Sequence, residues 1–229
     1  WLAVPAALAL TLSACSGGND TGSSDSTGGS ETAQTAGVVL ANGTEPQNPL
    51  IPANTNEVGG GRIVDLLFAG LVYYDANGDV VNDMAESIDT DDSQTYTVKL
   101  KEGQTFSDGS PVTSSSFVDA WSLGAANGGM LSVNFYAPID GTDDSGAIEG
   151  DGDTISGLTV VSDTEFTIKL KQPEADFPLR LGYSAFFPLP QSTLDDVKAG
   201  GENPIGNGPY KLAGDKAWEH NVQLELVPN

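Results

Sequence analysis

Two stretches of this chain repeat one pattern, and together they limit the fold more than any other feature. In QTYTVKLKEG, Tyr96, Val98 and Leu100 alternate with Thr95, Thr97, Lys99 and Lys101. In TEFTIKLKQP, Phe166, Ile168 and Leu170 alternate with Thr167, Lys169 and Lys171. Successive side chains of a strand point to opposite faces, so a period of two with apolar groups on one side specifies a strand with one buried and one wet face. A slip of one residue would turn every apolar side chain to water, which fixes the register wherever one face is covered. Between the two lies PVTSSSFVDAWSLGAAN, which predicts a helix with Thr113 as N-cap and Phe117, Trp121 and Leu123 available to the core. Strands with one wet face and a few covering helices predict an α+β fold, an α/β-like lobe.

Other segments fill in this outline. GVVLANG, from Gly37 to Gly43, predicts a short buried strand ending in a turn, and the three prolines of PQNPLIPANTN predict an irregular loop. EVGGGRIVDLLFAGLVYYD carries Ile63, Leu66, Leu67 and Leu71 at helical spacing. Its three glycines weaken the start of that helix, at about 1 kcal/mol each relative to alanine in a helix interior. ANGD predicts a hairpin turn, NVQLELVP a further strand, and Asp140 to Asp153 an acidic, glycine-rich loop.

The N-terminus differs in kind. Residues Trp1 to Leu12, WLAVPAALALTL, are apolar and too short for a bilayer-spanning helix, but long enough for the apolar region of a signal peptide. LSAC follows and ends on Cys15, the one cysteine of 229 residues. A lone cysteine closes no intramolecular disulfide and builds no thiolate cluster. The run resembles the bacterial lipobox, in which Cys15 would be lipidated on sulfur and become the mature N-terminus. Several acyl chains anchor durably where a single chain binds only marginally. Residues 16 to 36 hold almost no large apolar side chain and suit a flexible tether. The expected organisation is thus a partial signal peptide over 1–14, a lipid-anchored tether over 15–36, and a folded part from 37 onward. That places the protein on the outer face of a cytoplasmic membrane.

Composition excludes several functions. Asp and Glu number 32 against 9 Lys and Arg, a formal net charge of −23, whereas nucleic-acid phosphates need a basic surface. His220 is the only histidine and has no cysteine or histidine companion for a zinc site. Asp75, Asn77, Asp79 and Glu86 match positions 1, 3, 5 and 12 of an EF-hand loop, but Val80 stands where that loop needs glycine for its turn. No GxxxxGK[ST] phosphate loop occurs, and GYSAF around Ser184 has Phe186 where a nucleophile elbow needs glycine. No constellation supports catalysis, a metal or a cofactor. The aromatic clusters in VNFYAP and LGYSAFFPLP are suited either to the core or to a ligand-facing wall.

Read in order, LFAGLVYYDANGDVVNDMAES, YTVKLKEGQTFSDGSPVTSSSFVDAW, DTEFTIKLKQP and NPIGNGPYKL resemble solute-binding protein family 5 of ABC importers, the dipeptide- and oligopeptide-binding proteins. The run from Phe106 to Trp121 and NGPYKL from Asn207 to Leu212 are its most specific pieces, and the resemblance covers residues 38 to 229. One departure is Ser116, where an acidic residue commonly precedes the aromatic, a change that weakens a helix cap. The resemblance implies a periplasmic-binding-protein type II-like architecture, a two-lobed clamp that closes on an extended peptide held chiefly through its backbone. Over 37–229 it implies the first lobe only, with a main sheet from 37–68 and 151–229, an inserted subdomain at 69–150, and the second lobe missing. Its ligand wall would lie at NTNEVG and MLSVNFY, with Asn56, Val58, Asn134 and Phe135 as ligand-binding residues. The partners implied are an oligopeptide or similar solute and the permease and ATPase subunits of the importer. The competing reading is a surface lipoprotein that binds calcium or a protein partner through its acidic loops.

Overall fold

The structure, a computed structural model, describes residues 37–126 and 129–229. Within Asn42–Asn229, one compact unit, the first α-helix is α1 (Val58–Leu67). Its three glycines do not disable it, because the Glu57 carboxylate accepts the N–H groups of Gly59 and Gly60, both at 2.7 Å. Those amides are orphan donors of a helix start, and a carboxylate there also meets the positive end of the helix dipole. The chain then folds back as a hairpin, β1 (Val72–Tyr74) against β2 (Val80–Asn82). The Asp75 carboxylate organises the turn between them, accepting from the amides of Asn77 at 2.8 Å and Asp79 at 2.9 Å, while Gly78 takes a φ of +86°. The remaining elements are β3 (Ala85–Asp89), β4 (Thr95–Leu100), α2 (Ser114–Ala125), β5 (Leu158–Ser162), β6 (Glu165–Lys169), α3 (Gln191–Asp195), α4 (Val197–Glu202), β7 (Tyr210–Leu212), β8 (Trp218–Glu219), β9 (Gln223–Leu224) and β10 (Leu226–Pro228).

The two alternating stretches become the centre of the molecule. β4 and β6 pair antiparallel in a sheet of order β3-β4-β6-β5, with Tyr96 opposite Ile168 and Val98 opposite Phe166. Tyr96, Val98, Leu100, Phe166, Ile168 and Leu170 are all buried, as the alternation requires. α2 covers that face. Phe117 stacks on Phe166 at 5.9 Å between ring centroids, and Trp121 meets Phe166 edge-on at 5.7 Å and Phe186 at 5.1 Å. Such offset and edge-to-face pairs add to the area that aromatics bury. At the helix start the Ser116 hydroxyl accepts the Thr113 N–H at 3.1 Å, so serine closes a capping box here instead of weakening the cap.

Several expectations are corrected. Residues 37–43 adopt no regular structure, and Val38, Val39 and Leu40 are 89%, 89% and 91% exposed. Three apolar residues do not make a buried strand without a ladder partner, and none of the described strands pairs with them. The proline-rich loop is irregular but far from peripheral: Leu50, Ile51 and Ala53 are buried, and Pro52–Asn54 forms one turn of 3₁₀ helix. α1 ends at Leu67, so Leu71 lies beyond it, and Leu66 is exposed. NVQLELVP divides between two ladders, β8–β9 and β7–β10, because the Glu225 N–H turns to the Ala217 carbonyl while its own carbonyl accepts from Ala213. No strand lies between 42 and 71, and the four-stranded sheet takes β3 and β4 from within 69–150 but β5 and β6 from beyond it. Hydrogen bonding therefore runs across the expected boundary at 150. Cys15, the signal region and the tether lie outside the described residues.

Candidate functional site

An open groove of about 610 Å³ runs along the start of α1, the segment that follows that helix, β1, and the turn around Tyr183. The segments are held in place by identifiable contacts. Asn207, in the NGPYKL segment, pairs its side-chain amide with the backbone of Ala69, accepting the Ala69 N–H and donating to the Ala69 carbonyl, both at 3.0 Å. The Gly208 N–H donates to the Leu67 carbonyl at 2.8 Å. A side chain at Gly206 would collide with that same carbonyl, so close backbone approach explains the glycine. NGPYKL thus pins the chain where it leaves α1, and its Pro209 lines the groove. Of the other lining residues, Tyr74 donates its hydroxyl to the Leu179 carbonyl at 2.7 Å, and the Tyr183 ring stacks on Phe135 at 4.2 Å.

Asn56 and Val58 line the groove, and Val58, the first residue of α1, is 70% exposed. Asn134 and Phe135 are not among the lining residues. The 3₁₀ turn Val133–Tyr136 instead sends Tyr136 into the core, where its hydroxyl donates to the Ala185 carbonyl at 2.6 Å, and lays Phe135 behind Tyr183. Phe135 supports the wall; Asn134 is exposed elsewhere. Of the two aromatic clusters, Phe186 is wholly buried, Phe187 lines the groove from a largely buried position, and Tyr183 is 45% exposed. Sequence reasoning missed Tyr73 and Tyr74, which are also about half exposed in a three-residue strand. Adjacent strand residues face opposite sides, so two neighbouring tyrosines cannot both enter one core.

Charge in the groove has one sign. Glu57, Asp65 and Asp83 line it, with no lysine, arginine or histidine among the lining residues. Glu57 is engaged with the helix amides. Burial pushes the carboxyls of Asp65 and Asp83 above the usual aspartate value, and nearby Lys101 partly offsets this for Asp83. Ser184 also lines the groove, but no histidine, lysine or cysteine stands beside it there to act as base or nucleophile. The arrangement offers ring faces, carboxylates and backbone polar groups to a ligand.

The acidic loops are organised differently. The Asp143 carboxylate accepts from the Ser145 amide, the Ser145 hydroxyl and the Ala147 amide, and Lys169 pairs with Asp140 at 2.7 Å. Asp75 and Asp143 thus spend their lone pairs on their own turns. Among the described residues no group of His, Cys, Asp and Glu is placed to hold a metal ion, and no helix is long and apolar enough to cross a membrane.

Comparison with known proteins matches this geometry to a family. Residues 79–229 match the bacterial extracellular solute-binding proteins, family 5 Middle. The chain is 32% identical over 169 residues to the dipeptide-binding protein of Lactococcus lactis subsp. cremoris, covering 70% of this chain and 30% of that one. It is 28% identical over 231 residues to the oligopeptide-binding protein OppA of Bacillus subtilis, covering 96% and 40% respectively. The structure of the Escherichia coli murein tripeptide binding protein MppA superposes with a TM-score of 0.71 at 28% identity, over 82% of this chain and 37% of that one. The chain spans 30–40% of the length of these relatives. With most of its length matched and its fold shared, the chain belongs to the bacterial extracellular solute-binding proteins of family 5.

Proposed function

We propose that this chain is part of the substrate-binding component of an ABC importer, which captures oligopeptides or a similar solute outside the cell and delivers them to the permease. The observation that carries the reading is the groove at Asn56 and Val58, open to solvent and walled by Tyr73, Tyr183 and Phe187, in a chain of this family. Relatives named for binding a dipeptide, an oligopeptide and a murein tripeptide support a peptide as the solute. The groove would be one wall of a two-lobed clamp, and hinge closure over the ligand would produce the form that the permease recognises. No chemistry is performed on the ligand. Lipidation at Cys15 would tether the protein to the outer face of the cytoplasmic membrane, with residues 16 to 36 as the leash.

Calorimetry on the full-length protein tests this. Titration with a mixture of short peptides is expected to give saturable binding near micromolar Kd, about −8 kcal/mol, and titration with calcium no heat beyond dilution. Calcium binding without peptide binding would replace this reading with that of an acidic-loop lipoprotein.

A further inference from the structure

An asparagine followed by glycine is a chemically reactive pair, because the glycine nitrogen has no neighbouring side chain to shield it from the preceding side-chain amide. The chain holds four such pairs, at 42–43, 77–78, 127–128 and 207–208, of which Asn127–Gly128 lies outside the described residues. The fold treats the other three differently. Asn207 is buried, its amide is paired both ways with the Ala69 backbone, and the Gly208 N–H donates to the Leu67 carbonyl at 2.8 Å. Asn77 is exposed but fixed in the turn between β1 and β2. Its main-chain and side-chain N–H groups donate to the Asp75 carboxylate at 2.8 and 3.4 Å, and the Gly78 N–H donates to the Asp75 carbonyl at 3.0 Å. Asn42 and Gly43 are both exposed, in backbone of no regular structure. Among the described residues no backbone hydrogen bond holds the Gly43 N–H, and a Cβ built on Gly43 would meet open space.

We propose that Asn42 is a modification site, deamidating and isomerising as the protein ages, whatever the groove binds. The Gly43 nitrogen, on losing its proton, attacks Cγ of Asn42. The new C–N bond closes a five-membered succinimide while the Cγ–Nδ2 bond breaks, and Nδ2 takes up a proton and leaves as ammonia. Water then opens the ring. Addition at Cγ restores the main chain and leaves aspartate; addition at the main-chain carbonyl carbon leaves isoaspartate, whose main chain runs through the former side chain. One water enters, one ammonia leaves, and the chain gains one negative charge. The attack needs the nitrogen brought over Cγ. The irregular backbone at 42–43 permits that approach, whereas the turn bonds at 77–78 and the buried pairing at 207–208 oppose it. The product lies two residues before Thr44, which a Cβ at Gly59 would strike, so the added methylene of isoaspartate enters the chain where it approaches the first turn of α1.

The full-length protein is held for weeks at physiological temperature and mildly alkaline pH, natively and in urea. Peptides containing Asn42, Asn77 and Asn207 are followed by mass spectrometry for the gain of about 1 Da that marks amide turning to carboxyl, with aspartate and isoaspartate separated by chromatography. In the native protein Asn42 is expected to convert about tenfold faster than Asn77 or Asn207, and to give both products. In urea the three rates are expected to converge, because every pair then has glycine next and no fold around it. Gly43→Val, which crowds the attacking nitrogen, is expected to slow conversion at Asn42 by about tenfold or more. Native conversion of Asn77 or Asn207 as fast as Asn42 overturns the proposal, as does an Asn42 that stays intact in the native protein. A ranking that persists in urea assigns the difference to local sequence and overturns the role of the fold. Aspartate without isoaspartate, or an unchanged rate in Gly43→Val, means direct hydrolysis of the amide and overturns the succinimide route.

Discussion

Trp121 is fully buried among Phe117, Phe166 and Phe186. Truncating it removes the ring that joins α2 to both the sheet and the 184–186 turn, and Trp121→Ala is expected to lower stability by about 3–5 kcal/mol in urea unfolding. His220 is an exposed counterpart. Its ring nitrogens lie 2.7 Å from a Glu45 carboxylate oxygen and 3.0 Å from one of Glu202, tying the chain before α1 and the end of α4 to the β8–β9 hairpin. The hydrogen bond to Glu45, then that to Glu202, raises the imidazole above its ordinary value of 6.5. The folded state therefore binds the proton more tightly than the unfolded chain. The contribution is complete below about pH 6.5 and disappears as pH rises through the raised value. The stability difference between wild type and His220→Gln is expected to be largest near neutral-acid pH and to shrink steadily toward alkaline pH, measured as the shift in unfolding midpoint. At the acid end the tie fails for another reason. Glu45, lowered first by the Asn221 amide and then by His220, takes up a proton as pH falls through its own depressed value. At the other end of the chain, Cys15→Ala in the complete precursor is expected to move the protein from the detergent fraction to the soluble one.

At the level of elements, α2 shows packing overriding propensity. Gly124 sits inside this helix, where alanine is ordinarily better by about 1 kcal/mol. A Cβ there would press into the Tyr136 ring, 2.8 Å from Cε2, and that ring is pinned by its hydroxyl's bond to Ala185. Gly124→Ala is expected to destabilise the protein by about 1–3 kcal/mol in spite of the gain in propensity, as read from thermal unfolding. The same contrast explains what was legible in the sequence. β4, β6 and α2 were readable because their burial is written in local periodicity and a local cap. The exposed run at 38–40 was misread because a strand exists only with a partner, and partnership is not a local property. The division of NVQLELVP between two ladders depends likewise on where β7 and β8 lie. Asn56 and Val58, which the resemblance offers as ligand-binding residues, line the groove at the start of α1. For Tyr183 the sequence left core and wall both open, and Asp83 and Tyr73 carry no local signal, because the separate segments meet there only through tertiary contacts such as Asn207 to Ala69.

For the molecule as a whole, the proposed clamp makes a quantitative claim about what this part can do alone. The chain spans 30–40% of the length of its relatives. On the clamp reading, a polypeptide limited to residues 37–229 would meet the ligand on one wall, without the contacts made by the other. Loss of one buried charge-assisted contact costs about 2–5 kcal/mol, so binding should weaken by on the order of a hundredfold or more relative to the full-length protein. Side-by-side calorimetry checks this, and equal affinities would show that one lobe carries the whole site. The sheet also governs how such a chain comes into being. Val98 pairs with Phe166, so the central ladder joins strands separated by the whole of α2 and the acidic loop. Closing that loop costs entropy before any ladder bond repays it, which places this sheet among the slower topologies. A nascent chain stopped short of Glu165 lacks β6, so β4 has only β3 to pair with and Tyr96, Val98 and Leu100 lack the strand that continues their apolar face. Such a species exposes apolar surface and an unpaired strand edge at the same time, the combination that holding chaperones cover.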